Sequence, residues 1–147
     1  MQTGIKFFLA LSVLAAPLFA GTLALEVGNP AANAEAQSKH AAVLARTTAC
    51  QSPEKTEITA TAEGIVNGIH RSVPLKVIRL STPGTFVVTH EWPSTGTWAV
   101  RIVARNPVYK NYATGLLIPF EGDSIDWAAV KHYFHEPTGQ ELASVLH

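Results

Sequence analysis

The sequence is poor in the features that announce chemistry. It has one cysteine, Cys50, and one methionine, Met1. A single cysteine excludes an internal disulfide, so a folded core has to come from apolar packing. Lysine plus arginine and aspartate plus glutamate number 11 each, and the net charge is zero with the six histidines neutral. That balance lacks the basic footprint of a nucleic-acid binder. There is no G-x-S-x-G elbow, no P-loop and no G-x-G-x-x-G, which removes the sequence signatures of the common hydrolases and nucleotide enzymes. Cys50 sits in a polar stretch, a poor place for a preorganised nucleophile.

What is present begins with an export signal. Lys6 is the only charge before Glu26, and an apolar run, Phe7 to Leu25, lies between them. A positive start followed by an apolar stretch and small residues reads as a secretory signal. Residues 1–34 are assigned to it, with cleavage after Ala34, and Ala24 and Ala36 as alternatives. The other reading of the run is a retained membrane anchor. Pro17 and Gly21 favour cleavage, which leaves no membrane span in the mature chain. Residues 35–56 read as an alanine-rich segment and a flexible linker, ending in Thr47–Thr56 with its proline. The folded domain is expected from Glu57 to His147.

Within that domain, alternation with period two dominates. Ile58, Ala60 and Ala62 alternate with Thr59, Thr61 and Glu63. Asn67-Gly68 is a strong hairpin signal, because both central positions of a type I′ turn need positive φ. Pro74 places the next segment at an edge or starts a new strand. Phe86, Val88, His90 and Trp92 share one face of a strand. Trp98, Val100, Ile102 and Ala104 share one face of the following strand, with Arg101 and Arg105 opposite. The turn formers Pro93-Ser94-Thr95-Gly96 suggest that these two strands make a central hairpin. Leu116, Ile118 and Phe120 mark a further strand. Gly122-Asp123-Ser124 then reads as a helix start, with Val130, Tyr133 and Phe134 at helical spacing; a strand through Ala129–His135 is the alternative. Thr138 and Glu141 match a capping box for a last short helix over Gly139 to Leu146.

The stretch Pro83-Gly84-Thr85-Phe86, followed by Trp92-Pro93 and Gly96-Thr97-Trp98-Ala99-Val100, resembles the immunoglobulin-like domains of small exported bacterial proteins. The YtkA-like and FixH-like families are the nearest in pattern, and the CopC-like copper-handling sandwiches are more distant. The resemblance covers Pro83–Val103. It implies an immunoglobulin-like antiparallel β-sandwich, and in the copper-handling case a ligand role for His90. The chain departs from that last pattern in having no methionine-rich segment, and copper(I) prefers soft thioether donors.

The candidate metal site is His132-Tyr133-Phe134-His135-Glu136. On a helix, His132 and His135 would lie on one face and could hold Zn or Cu with Glu136, Asp126 or His147, and His90 as a further ligand. The order H-x-x-H-E is not a zinc-protease spacing. Outward histidines near a helix end are the simpler reading. Lys76, Arg79, Arg101 and Arg105 form a candidate basic strip, set against an ordinary solvated sheet face. Tyr109, Tyr112 and Trp127 are candidates for a recognition surface, set against packing between the sheet and the C-terminal helix. The expectation is an all-β, immunoglobulin-like sandwich with one or two short C-terminal helices. Its leading function is a non-enzymatic binding or accessory module, secreted or periplasmic, whose partner is an envelope or extracellular protein. A metal-binding protein and a small hydrolase with a convergent site are the alternatives.

Overall fold

The computed structural model describes residues 22–48, 51–110 and 112–146. The strands are β1 (Leu25–Gly28), β2 (Ala41–Thr47), β3 (Glu57–Val66), β4 (Ile69–Pro74), β5 (Val77–Arg79), β6 (Thr85–Thr89), β7 (Thr97–Arg105), β8 (Ala113–Glu121), β9 (Ser124–Ile125) and β10 (Lys131–Tyr133). Two short helices, α1 (Ala34–Ser38) and α2 (Gly139–Ala143), accompany them. One sheet has the order β1-β2-β6-β5, and the other the order β10-β8-β7-β3-β4 with β9 paired to β8. Every pairing is antiparallel. The architecture is the all-β antiparallel sandwich expected from the alternation, closed by a short C-terminal helix.

The main core lies between the sheets. Ala60, Ala62, Trp98, Val100, Ile102, Ala104, Leu116, Ile118 and Phe120 from one sheet meet Leu25, Val43, Ala45 and Val88 from the other. Trp92 joins them, with its ring edge-on to Phe120 at 4.9 Å between centroids. Phe86 is fully buried, with the Arg79 guanidinium 5.1 Å from its ring centroid. Gly64 makes the packing of Trp98 possible, because a Cβ there would overlap the indole.

Three expectations are corrected. The first concerns where the fold begins. Leu25–Gly28 and Ala41–Thr47 are paired strands, so the segment expected as signal peptide end, alanine-rich stretch and linker supplies half of one sheet. Leu23, Leu25, Val43 and Ala45 are buried in the main core. Alanine has low strand propensity, but it fits where two sheets approach closely. Asn33 caps α1 by accepting from Ala36 N–H, and His40 takes a positive φ of 52° as the chain leaves that helix for β2. The stretch from Ser52 to Thr56 is also tied down. Buried Asn106 donates to Ser52 O and Thr56 Oγ1, and Arg79 donates to Glu54 O and Thr56 O. Residues 1–21, which carry most of the apolar run, and Cys50 lie outside the described residues.

The second correction concerns the expected central hairpin. β6 and β7 are consecutive but lie in different sheets, so the turn formers at 93–96 serve a crossing between layers. Pro74 marks a similar crossing. It ends β4 at the edge of one sheet, and β5 resumes in the other.

The third concerns the segment after Gly122, which is not a helix. It forms β9, a 3-10 turn at Trp127–Ala129 and the edge strand β10, as in the alternative reading. The last helix is present, with both halves of the Thr138–Glu141 capping box made. Leu142 and Leu146 pack on Ala99 and Leu117, so the C-terminal segment covers the outer face of the β7–β8 region. Among the described residues no helix is long and apolar enough to cross a membrane.

Candidate interaction surface

The Asn67-Gly68 turn fixes the register of β3 on β4. Its central residues have φ of 51° and 76°, which suits a type I′ turn. Val66 pairs with Ile69, Ile65 with His70, Gly64 with Arg71, Glu63 with Ser72, and Thr61 with Pro74. In a two-residue hairpin the first pair is hydrogen-bonded and the type alternates from there. The backbone N–H and C=O groups of Ile69, Arg71 and Val73 therefore face β3, and those of His70 and Ser72 face outward. Pro74 is also an outward position, where a missing N–H costs no ladder bond. Among the described residues no strand pairs with this outer edge.

Glu63 sits on the outer face of this hairpin and is only 5% exposed. A buried carboxylate needs compensating partners. Thr61 Oγ1 and Ser72 Oγ donate to Glu63 Oε1 at 2.9 and 3.0 Å, and His70 Nε2 lies 3.2 Å from Glu63 Oε2. Ser72 and His70 both address the carboxylate rather than each other. This arrangement supplies partners to a buried acid; it does not present a hydroxyl to an imidazole base.

Beside this cluster runs an apolar groove of about 320 Å³, with Ile65 and His70 on the hairpin side and Gly139, Leu142, Ala143 and Leu146 on the α2 side. Ile65 is partly exposed, and Ile69, at the start of β4, is 56% exposed. The surface thus combines a strand edge with free backbone groups, an apolar channel and a fixed polar cluster.

The histidines proposed as metal ligands are not drawn together. β10 puts His132 opposite Leu116, and its Nδ1 lies 3.2 Å from Leu25 O, across the flank where the two sheets meet. His135 lies beyond β10. Its Nδ1 is 2.9 Å from Glu136 O and its Nε2 is 3.4 Å from Glu141 Oε1. The shared helical face on which the pair rested is absent, because the segment is extended. His90 is exposed on the crossing between sheets, stacked on Trp92 at 4.0 Å between centroids. Among the described residues no group of three or more His, Cys, Asp or Glu is placed to hold a metal ion; His147 lies outside them.

The candidate basic strip divides in the same way. Arg101 and Arg105 both bridge to Glu136, while Arg79 lies in the other sheet. Tyr109 and Tyr112 pack against the main core. Burial against the Ala99–Leu117 patch, with Glu141 nearby, pushes the Tyr133 phenol up.

The sequence reading missed Glu63, His70 and Ser72 as a unit. The signal was available, because a two-residue loop at 67–68 sets 63 opposite 72 and 65 opposite 70. Comparison with protein-family models, with curated proteins and with solved structures finds no match to this chain.

Proposed function

We propose that the protein is an exported, non-enzymatic binding module that takes an extended segment of an envelope or extracellular protein along β4. The observation that carries this reading is the outer edge of β4, unpaired among the described residues, next to the apolar groove formed with α2. Strand addition to a sheet edge uses main-chain hydrogen bonds for affinity and side-chain pockets for selection. His70 and Ser72 supply the outward backbone groups, and the groove takes apolar side chains of the added segment. Natural sheets usually blunt such edges; here Pro74 protects one end and leaves the remainder open. The Glu63 cluster stiffens the hairpin, which lowers the ordering cost of binding.

Export is the second part of the proposal and rests on the Lys6 and Phe7–Leu25 pattern. Leu23 and Leu25 belong to the main core, so a signal compatible with this fold is cut before Thr22. Cleavage after Ala24, Ala34 or Ala36 would remove core residues.

The test is affinity capture from envelope extract with the mature protein and with Ile65→Asp, which puts a charge in the groove. The same partner should be recovered by the parent protein and lost with the variant. Failure to recover a specific partner, or equal recovery with Ile65→Asp, argues against the reading.

A further inference from the structure

On the flank of the molecule opposite β4, the fold holds an indole out of its core. Trp127 is 51% exposed, whereas Trp92 and Trp98 are buried. The backbone that carries it is well anchored. Asp126 N–H donates to Pro119 O at 2.9 Å, and Ala129 N–H donates to Asp126 O at 3.1 Å. On either side of the turn, Ile125 and Val130 pack against the main core. The exposure of Trp127 is therefore a property of a fixed turn, and leaving a large aromatic surface in water is unfavourable unless something covers it.

Beside Trp127 lies a shallow groove of about 310 Å³, where the segment after β1 meets the β8–β9 turn. Asn29, Asp123 and Ser124 supply amide, carboxylate and hydroxyl groups, while Pro30 and Ala42 supply small apolar walls. Asp123 is the one charged residue in the lining, and no cation accompanies it.

This combination selects among ligand classes. An indole face with polar groups around it suits a molecule that has an apolar face and a rim of hydroxyls. Phosphate or an acidic polymer would need a cation here. A proline-rich segment docks in grooves lined by several aromatics, and this lining holds one. We propose that the groove binds a neutral saccharide, stacked by the C–H face of one ring on Trp127, with ring hydroxyls bonded to Asp123, Ser124 and Asn29. This site is separate from the β4 surface and does not depend on it.

The test uses the mature protein with soluble oligosaccharides of β-1,4-linked glucose, β-1,3-linked glucose and β-1,4-linked N-acetylglucosamine as probes. Binding is read from tryptophan fluorescence and from retardation in gels containing the matching polymers. Polygalacturonate and a polyproline peptide are run alongside. At least one neutral saccharide should bind, and Trp127→Ala should weaken it by about tenfold or more, as loss of a central aromatic anchor does. Asp123→Ala should weaken it less, and thermal unfolding of both variants should match the parent. The proposal is overturned if no neutral saccharide binds, if Trp127→Ala binds equally well, or if polygalacturonate or polyproline binds in preference.

Discussion

Glu63 is the residue on which the candidate surface turns. Its carboxylate is buried, and Thr61, Ser72 and His70 surround it. Replacing it with alanine leaves those polar groups without their acceptor, and the expected loss is about 1–3 kcal/mol of stability, measured by denaturant unfolding. Glu63→Gln keeps the shape and one acceptor and should cost less; equal loss in the two variants would mean that the charge itself is what matters. Gly64, its neighbour, makes a different demand. A methyl group there overlaps the Trp98 indole, so Gly64→Ala should destabilise by about 1–3 kcal/mol through overpacking. Unchanged unfolding in that variant would show that the indole has room to move. The two residues also mark how far a sequence can be read at this scale. The alternation in Glu57–Val66 puts Glu63 on the face away from the core, which is correct. Its burial goes with partners on its own strand and on β4, which the turn at 67–68 brings into register but the alternation alone does not report.

At the scale of elements, the strands with regular alternation and good turn signals were legible: β3, β4, β7, β8 and the capped α2. Two kinds of element were not. β1 and β2 are built from Leu25-Glu26-Val27-Gly28 and from an alanine-rich run, and their pattern merges with that of an export signal. Strand formation there is decided by tertiary packing rather than by local propensity. β9 and β10 are very short, and Val130, Tyr133 and Phe134 fit a helical period as well as a strand; pairing of β10 with β8 decides the outcome. That decision also removes the helical face proposed for His132 and His135, since β10 ends at Tyr133 and His135 lies beyond it. A direct consequence concerns the start of the fold. Leu25 is buried in the main core, so Leu25→Ala should cost about 2–5 kcal/mol. A chain beginning at Glu35 should lose the cooperative unfolding transition shown by one beginning at Thr22. Equal melting of the two chains would place the folded unit beyond β1.

At the scale of the whole molecule, α1 is held to the sheet beside it by burial of Ala36 against Leu80 and Val87 and by one carboxylate, which reaches the turn after β5. The Ser81 hydroxyl and N–H both donate to Glu35 at 2.7 to 3.2 Å. These bonds hold the Glu35 carboxyl below the usual carboxylate range. A depressed value means that the charged form is favoured in the folded state. The stability it adds is present above the ordinary value and is lost as pH falls through the depressed one. Glu35 lies at the surface and is only partly covered, so the effect is small. The melting temperature of Glu35→Gln should therefore be slightly lower than that of the parent near neutrality, and the two should converge in acid. A constant difference across the acid range would show that the contact is structural but not charge-dependent.

The sandwich presents two unlike flanks, an open strand edge with an apolar groove at β4 and a polar groove with one indole near β10. The alternation made the strands of the two-layer fold legible and Pro74 pointed to an edge, whereas neither groove could be read, because each is assembled from segments far apart in the chain. Reception of an extended protein segment by β4 is tested by site-specific photo-crosslinking in cells. A photoreactive residue is placed at Ser72 on β4 and, in a second protein, at Lys131 on the opposite edge. One discrete protein adduct is expected from position 72, absent from position 131 and suppressed by Ile65→Asp. No adduct at 72, or the same adduct from both edges, would contradict it.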